Sequence, residues 1–376
     1  MQLYRLSLLL LLSCVTMLSG GCSGSSSGSN AASTVNKFQM GGAIQNGPLS
    51  LTNTVTTFAG TAGIVESSAD GIGAAARFAY PTAITTDGTY LYVTDTDNNT
   101  IRKIEISTGT VTTLAGSAGS YGSADGIGAA ARFNGPVGIT TDGKNLYVTD
   151  FHTIRKIEIS SGTVTTLAGT ASSHGSANGV GAAATFTDPV GITTDGTNLY
   201  VTDLLENTIR KIVISTGAVT TLAGTAGSYG SADGIGAAAT FTDPEGITTD
   251  GTNLYVMDGS GTIRKIVIST GAVTTLAGFY GENITTDGAN LYVTEIRWES
   301  PEPADVASDT GFHGDNIIHK IALSTGAVTT VAGSGNFGSA DGIGAAASFC
   351  GPQGITTDGT SLYLVDSGSN TIRKIR

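Results

Sequence analysis

The strongest constraint on the fold is a unit of about 54 residues that recurs along most of the chain. Its core reads G-I-T-T-D-G-x-x-L-Y-V-x-D, and after a turn it continues T-I-R-K-I-x-I-S-x-G-x-V-T-T-L-A-G. A proline marks the unit at Pro81, Pro136, Pro189, Pro244 and Pro352. Because the last interval is twice as long as the others, it contains a further copy without the proline. Repeats of this period predict an array in which each unit packs against its neighbours.

Each copy predicts four short antiparallel strands. In the second copy they span residues 138–141, 145–149, 153–160 and 163–168. Asp142-Gly143 predicts a hairpin turn, because this pair readily adopts positive φ. Repeated β-rich strands with polar turns and no long helix are typical of propeller blades. Between one copy and the next, Asp125 is predicted to cap a helical turn of alanines, and Phe133 to anchor that turn.

The number of copies predicts a closed ring of six blades. Third-strand copies lie near Ile101, Ile154, Ile209, Ile263, Ile318 and Ile372. The sixth copy has no fourth strand before Arg376, whereas Thr54–Gly60 matches a fourth strand without a copy of its own. We therefore predict an all-β, six-bladed β-propeller with four strands per blade. Its N-terminal strand, about residues 54–59, would complete the C-terminal blade and remove an exposed edge.

The recurring motifs also carry a family resemblance. The strings D-G-x-G-x-A-x-F, P-x-G-I, L-Y-V-x-D-x-x-N-x-I-R-x-I and V-T-T-L-A-G recur over residues 51–376 and resemble NHL repeats. The resemblance implies a propeller, often of six blades. It also implies diverse functions: docking of protein or RNA, structural roles at cell surfaces, and metal-dependent lactone hydrolysis or lyase chemistry in related six-bladed propellers. The fold therefore leaves the function to be argued from the site.

The N-terminus predicts an export signal over residues 1–21. Arg5 supplies a positive charge, and the apolar run Leu6–Leu12 is too short to span a bilayer. Small residues then precede Cys22, which resembles the lipobox of bacterial lipoproteins and implies that this cysteine is lipidated. Cys14 is the alternative, after a shorter apolar run. The expected location is the bacterial cell envelope, anchored by lipid to the outer membrane, or the secreted fraction if no lipid is attached.

Two further segments complete the predicted organisation. Residues 22–50, rich in serine and glycine at their start, are predicted to be a flexible tether, and residues 51–376 the propeller. The net charge of −12 makes nucleic acid an unsuitable partner, because the chain would repel phosphates. Membrane contact is expected only through the lipid anchor. Cys350 is the remaining thiol, so no intramolecular disulfide is expected.

Copies differ most on the face that carries the connections between blades, here called the top face. The connection over residues 279–283 is about 17 residues shorter than its counterparts, and the segment over 296–316 is correspondingly longer. This longer segment contains Trp298, the only tryptophan, and Phe312. The two aromatics are candidates for anchoring a partner, since aromatic residues dominate interface hot spots. Alternatively, they only pack the segment onto its blade.

A second difference concerns the residue that follows the marker proline, at the top of the innermost strand. Around the ring it reads Thr82, Val137, Val190, Glu245, Glu282 and Gln353. Asn283 replaces a glycine beside Glu282, and Glu295 replaces the aspartate that ends the second strand in other copies. We expect Glu245, Glu282, Asn283 and Gln353 to converge at the mouth of the central channel, with Glu295 as a further candidate.

These residues support two readings of function. The first is an envelope-anchored, non-catalytic binding or structural module that holds a protein or glycan on its top face. The alternative is a calcium-dependent hydrolase or lyase in which Glu245 and Glu282 bind the metal. Carboxylate oxygens are suitable ligands for Ca²⁺. The resemblance to lactonase-type propellers also implies calcium at the channel mouth. No catalytic residues and no cofactor other than calcium are predicted. Alternatively, these residues only line a water-filled channel that binds no ligand.

Overall fold

The predicted six-bladed β-propeller is confirmed. The computed structural model describes residues 47–63, 67–296 and 316–376. Six antiparallel sheets follow one another around a ring, and each innermost strand lies beside the innermost strands of the two neighbouring blades. Blades are numbered 1 to 6 in the order of their innermost strands.

The four main strands of each blade follow the repeat. The innermost strands of blades 1 to 6 are Pro81–Thr86, Pro136–Thr141, Pro189–Thr194, Pro244–Thr249, Asn283–Thr286 and Pro352–Thr357. The second strands are Tyr90–Asp95, Asn145–Asp150, Asn198–Asp203, Asn253–Asp258, Asn290–Glu295 and Leu362–Asp366. The third strands are Thr100–Glu105, Thr153–Glu158, Thr208–Val213, Thr262–Val267, Ile317–Ala322 and Thr371–Ile375. The outer strands are Thr110–Gly116, Thr163–Gly169, Ala218–Ala223, Ala272–Gly278, Val328–Ala332 and Thr54–Gly60.

The ring closes as predicted. Thr54–Gly60 pairs antiparallel with Thr371–Ile375, so the N-terminal strand is the outer strand of blade 6. The packed body begins before residue 51, because Leu49 is buried and its N–H donates to Asp287 Oδ2 at 2.9 Å. Part of the predicted tether thus packs on the propeller.

A fifth, two-residue strand, here called the cover strand, extends most sheets beyond the predicted four. It comes from the connection that precedes a blade and pairs with the outer strand of that blade, as Gly126 does with Val164. The described cover strands are Gly71–Ile72, Gly126–Ile127, Gly179–Val180, Gly234–Ile235 and Gly342–Ile343. Each leads into a 3₁₀ helix: Gly73–Ala75, Gly128–Ala130, Gly181–Ala183, Gly236–Ala238 and Gly344–Ala346. Two further 3₁₀ helices, between second and third strands, are Leu204–Glu206 and Ser367–Ser369.

The predicted cap of the alanine turn was wrong. Ile127, rather than Asp125, occupies the N-cap position, and no side chain caps this helix. The Asp125 carboxylate instead accepts hydrogen bonds from Arg155 Nη2 at 2.9 Å and from Thr166 Oγ1 at 3.0 Å. The carboxylate therefore binds the charged Arg155 of blade 2 and does not bind the local backbone.

A buried arginine joins the parts of most blades, and this arrangement is here called the latch. In blade 2, Arg155 Nη1 donates to Asp150 Oδ2 at 2.8 Å, and the guanidinium lies 5.3 Å from the centroid of the buried Phe133 ring. The same fully buried arginine recurs as Arg102, Arg210, Arg264 and Arg373. Because a buried charge must be paired, the repeated R of T-I-R-K-I requires the aspartate that ends the second strand.

Neighbouring blades are joined near the channel by a threonine of the second strand. Thr202 Oγ1 accepts a hydrogen bond from Gly191 N at 2.8 Å and donates to the carbonyl of Glu245, in the next blade, at 2.7 Å. A Cβ added at Gly191 would overlap that carbonyl oxygen, which explains why glycine recurs at this position. Innermost strands therefore pack at near-backbone distance, and the residues at their top ends surround the channel mouth.

Candidate functional site

The structure brings two of the predicted site residues together at the channel mouth. Glu245 and Glu282 begin the channel-lining segments of the adjacent blades 4 and 5, and both side chains are partly buried. Their carboxyl groups share a hydrogen bond with each other. This pair, here called the carboxyl pair, is the chemical centre of the mouth.

A single substitution in the repeat changes how the two backbones are bonded here. Met257 stands in blade 4 where blade 3 has Thr202, so the bridging hydroxyl is replaced by a thioether. The Gly246 N–H instead donates directly to the Glu282 carbonyl at 3.1 Å. Because Glu245 precedes Gly246, this direct bond joins blades 4 and 5 at the level of the two glutamates.

The electrostatics of the carboxyl pair favour one shared proton. Burial raises the pKa of Glu245 well above its usual value, and the neighbouring charges of Glu282 and Asp243 raise it further. Burial also raises the pKa of Glu282, while the hydrogen bond with Glu245 acts in the opposite direction. Burial and the neighbouring carboxyl group both disfavour full ionisation, so we expect the pair to titrate as a unit and to hold one proton above the usual glutamate pKa.

Tyr80 adds a phenol from blade 1. Its Oη accepts a hydrogen bond from Gln353 Nε2 of blade 6 at 3.2 Å. Burial and the charge of Glu282 raise the pKa of Tyr80, so the phenol stays neutral. The residue has a φ of 45°, and its N–H donates to Asn370 Oδ1 at 2.6 Å. Blades 1, 5 and 6 thus each contribute a polar group to one side of the mouth.

Sequence reasoning missed Tyr80, although a signal for it exists. The residue before the marker proline is Gly135, Asp188, Asp243 or Gly351 in other copies, so an aromatic is exceptional there. Only the residue after the proline was compared between copies. A comparison of both flanking positions would have placed a bulky phenol at the mouth.

The described hydrogen bonds of Asn283 and Glu295 go to groups other than the carboxyl pair. Asn283 occupies the position that glycine holds in other copies, such as Gly191, where an added Cβ would face the next blade. Its Oδ1 accepts the Ile284 N–H at 2.8 Å. Glu295 Oε2 lies 2.7 Å from His319 Nε2. The His319 ring in turn meets Phe279 edge-on at 5.1 Å. Glu295, His319 and Phe279 therefore reproduce the latch of other blades with different residues.

The rest of the mouth differs in character from the acidic side. Thr82 Oγ1 bonds to Thr96 Oγ1 at 2.7 Å and to the Val137 carbonyl at 3.0 Å, so its hydroxyl is satisfied within the fold. Val137 and Val190 present aliphatic side chains. The mouth is therefore polar over blades 4 to 6 and largely apolar over blades 2 and 3. The predicted residues Cys22, Trp298 and Phe312 lie outside the described residues.

Two structural features are absent from the described residues. Across 47–63, 67–296 and 316–376, no cluster of three or more His, Cys, Asp or Glu side chains is placed to hold a metal ion. Within the same ranges, none of the helices has the length and apolar character needed to cross a membrane.

Comparison with known proteins places the repeat in a family. No protein-family model matches the chain. NHL repeat-containing protein 2 of Bos taurus is 31% identical over 157 residues, 38% of this chain and 22% of that protein. The Homo sapiens protein of the same name is 31% identical over 144 residues, 35% of this chain and 20% of that protein. The chain thus spans about a fifth of the length of these curated relatives.

A solved structure shares the fold. A structural genomics protein of unknown function from Bacteroides thetaiotaomicron matches with a TM-score of 0.58 at 20% identity, over 86% of this chain and 75% of that one. The recurring motifs, the closed ring of six blades and the partial matches to NHL repeat-containing proteins agree with one another. The chain is a six-bladed β-propeller whose repeats are similar to those of NHL repeat-containing proteins.

Proposed function

We propose that the chain is a non-catalytic binding module that holds a hydroxyl-rich ligand, such as a glycan, at the polar side of the channel mouth. The observation that carries this proposal is the carboxyl pair, which lies within electrostatic reach of the Tyr80 phenol, itself bonded to the Gln353 amide. The repeat itself serves the fold, so the groups that break its symmetry are the candidates for function.

The donor and acceptor pattern suits sugar hydroxyls. Each sugar hydroxyl both donates and accepts, and the mouth offers carboxylate and amide oxygens as acceptors together with phenol and amide donors. Hydrogen bonds to an ionised carboxylate are the stronger ones, so Glu282 would bind hydroxyl donors well. Val137 and Val190 on the opposite side would contact the apolar face of a sugar ring. Small-ligand sites commonly combine an apolar wall with a few polar groups in this way.

The proposal extends to location and partners. The residues before the propeller support export and attachment to the cell envelope through a lipidated Cys22. A protein partner at Trp298 and Phe312 is the other occupant that we propose for the top face. Both rest on the sequence of residues outside the described ranges.

A calcium-dependent hydrolase or lyase is the second candidate, and the shared proton is the observation that favours it. A divalent cation would displace that proton and ionise both glutamates. Ca²⁺ usually takes six to eight oxygen ligands. Glu245, Glu282 and the Gln353 amide supply a few of these, so the rest would have to come from backbone carbonyls and water.

Thermal unfolding separates the two candidates. The chain is melted in EDTA, in millimolar Ca²⁺ with EDTA omitted, and with maltose, cellobiose, lactose or chitobiose. A ligand at 100 times its Kd stabilises the fold by about 2.7 kcal/mol. For domains of 150–250 residues this raises Tm by about 2–4 °C per kcal/mol, and by less for a larger one.

Two variants locate any effect. Glu245→Gln with Glu282→Gln removes the carboxyl pair, and Val190→Thr changes the apolar side while keeping its shape. A disaccharide shift that the double variant loses and Val190→Thr keeps supports the binding module. A shift with Ca²⁺ alone, lost in the double variant, favours the calcium-dependent candidate. No shift with any of these ligands contradicts a site at the mouth.

A further inference from the structure

Blade 5 differs from the other blades at its outer edge. Among the described residues, no cover strand pairs with its outer strand, and its sheet has four strands where the others have five. The cause is the short connection before this blade, which joins Gly278 to Asn283 and omits the D-G-I-G segment present elsewhere. Among the residues that the structure describes, none pairs with the outer edge of Val328–Ala332, so its outward backbone groups have no strand partner there.

The loss of the cover strand exposes apolar surface. Val328 is 45% exposed, whereas the equivalent valines, Val55, Val111, Val164, Val219 and Val273, are 1–2% exposed. The turn before this strand is also uncovered. In blade 2, the carbonyl of the turn glycine Gly162 accepts the Gly128 N–H at 2.9 Å. The equivalent glycine of blade 5 is Gly326, and a Cβ added there would have no described atom within 4 Å.

The covered blades show what chemistry fits this edge. In blade 2, Gly126 and Ile127 pair with the first two residues of the outer strand. The preceding Asp125 accepts hydrogen bonds from the N–H and hydroxyl of Thr166 at 3.1 and 3.0 Å. The equivalent residues Asp70, Asn178, Asp233 and Asp341 accept from the matching threonine hydroxyls of their blades. An extended segment with an aspartate, a glycine and a β-branched residue satisfies the edge four times in this chain, and the same segment with an asparagine satisfies it once.

Charge at the edge of blade 5 differs from that of the covered blades, where the acid also accepts from the latch arginine, as Asp125 does from Arg155 at 2.9 Å. The third and outer strands of this blade carry Lys320 and His319 and no carboxylate. The nearby Glu295 is bonded to His319. Thr330 matches Thr166 in the repeat, so an incoming acid would meet a hydroxyl and an outward N–H there.

We propose that the outer edge of blade 5 binds an extended segment of a partner protein, in which an acidic residue, a glycine and a β-branched residue follow one another. The segment adds as the fifth strand of the sheet, its β-branched side chain beside Val328 and its carboxylate at Thr330. This mode of recognition uses main-chain hydrogen bonds for affinity and side-chain positions for specificity. The described D-G-I-G and A-N-G-V-G segments of this chain are already engaged in their own blades, so a second copy has none of them to offer.

The test uses a synthetic peptide with the sequence of residues 122–131, GSADGIGAAA, added to the full chain. Backbone amide NMR shifts are followed during the titration. We expect saturable shifts centred on Val328, Thr329 and Thr330. The same peptide with its aspartate changed to alanine should bind about tenfold more weakly, since it loses hydrogen bonds to a charged group.

Two variants of one residue give a matched control. The Val328 N–H points outward, because it lies two residues from Thr330, whose equivalent Thr166 donates outward to Asp125. Val328→Pro removes that donor and should abolish the shifts, and Val328→Thr keeps it and should preserve them. Shift mapping on the unmodified chain stands independently if the proline variant fails to fold.

Four results would overturn the proposal. The peptide causes no shifts at millimolar concentration, or it binds Val328→Pro as well as it binds the unmodified chain. The Val328 and Thr330 amides are protected from hydrogen exchange in the chain alone, which means that another segment of the same chain covers the edge. The chain self-associates in a way that Val328→Pro prevents, which makes the occupant a second copy.

Discussion

The latch of blade 2 gives the most quantitative prediction about stability. Arg155 is fully buried, and its guanidinium donates to Asp150 Oδ2 at 2.8 Å, to the Arg132 carbonyl at 2.9 Å and to Asp125 Oδ1 at 2.9 Å. Arg155→Met keeps the volume and removes these donors. The buried Asp150 carboxylate then keeps the Asn134 N–H, at 2.6 Å, as its remaining described donor.

The cost follows from the charge that is left behind. Breaking a buried ion pair by removing one partner typically costs about 3–5 kcal/mol. The Asp125 side chain is half exposed, so water replaces most of its lost interaction. We therefore expect Arg155→Met to lower the free energy of unfolding by about 3–5 kcal/mol. Denaturant unfolding measures this, with exposed Lys144→Thr as a control expected to stay within about 0.5 kcal/mol.

Blade 5 supplies an internal test of the same reasoning. It replaces the arginine and aspartate of the latch with His319 and Glu295, which lie 2.7 Å apart. Arg155→His combined with Asp150→Glu copies that pair into blade 2. A double-mutant cycle should show that the combination costs less than the sum of the single changes. An Arg155→Met variant that loses less than about 1 kcal/mol would refute the view that the buried aspartate depends on its arginine.

Three further predictions concern contacts between blades. Gly191→Ala should lower the free energy of unfolding by about 1–3 kcal/mol, measured by denaturant unfolding, because its Cβ overlaps the Glu245 carbonyl. Thr56→Pro should lower it by about 1–3 kcal/mol, because it breaks the pairing of the closing strand with Lys374; an unchanged midpoint would argue against ring closure. Met257→Thr should restore the bridging hydroxyl and shift the Gly246 amide NMR signal, because that N–H would donate to the threonine instead of the Glu282 carbonyl; an unchanged signal would contradict the role of this methionine.

The repeat was sufficient to predict most of the fold. Six third-strand copies and a matching strand at Thr54–Gly60 were sufficient to predict the number of blades and the closure. The cover strands were missed because two residues are too short for a strand pattern, and because Gly126–Ile127 pairs with the following copy. Asp125 was misassigned because its local sequence matches a helix cap, whereas a buried arginine 30 residues later binds it more strongly.

The candidate site was harder to predict from the sequence than the fold. Comparison of copies selected Glu245 and Glu282, and the structure places their carboxyl groups together. The backbone bond beside them depends on Met257, a residue in another strand whose effect requires the packing of two blades. Tyr80 reaches the same place from blade 1 because the ring brings blade 1 beside blade 6. Such contacts across the ring leave no periodic signal within one copy.

An NMR titration of the Glu245 and Glu282 carboxyl carbons tests the central claim, the shared proton, most directly. We predict two steps for the pair, one of them well above the usual glutamate pKa of about 4.3. Since the raised pKa belongs to the folded state, the chain should lose stability as pH rises from about 4.3 through that upper step. Glu245→Gln should remove this loss. Two steps near about 4.3, with the same pH dependence of stability in Glu245→Gln, would contradict the account.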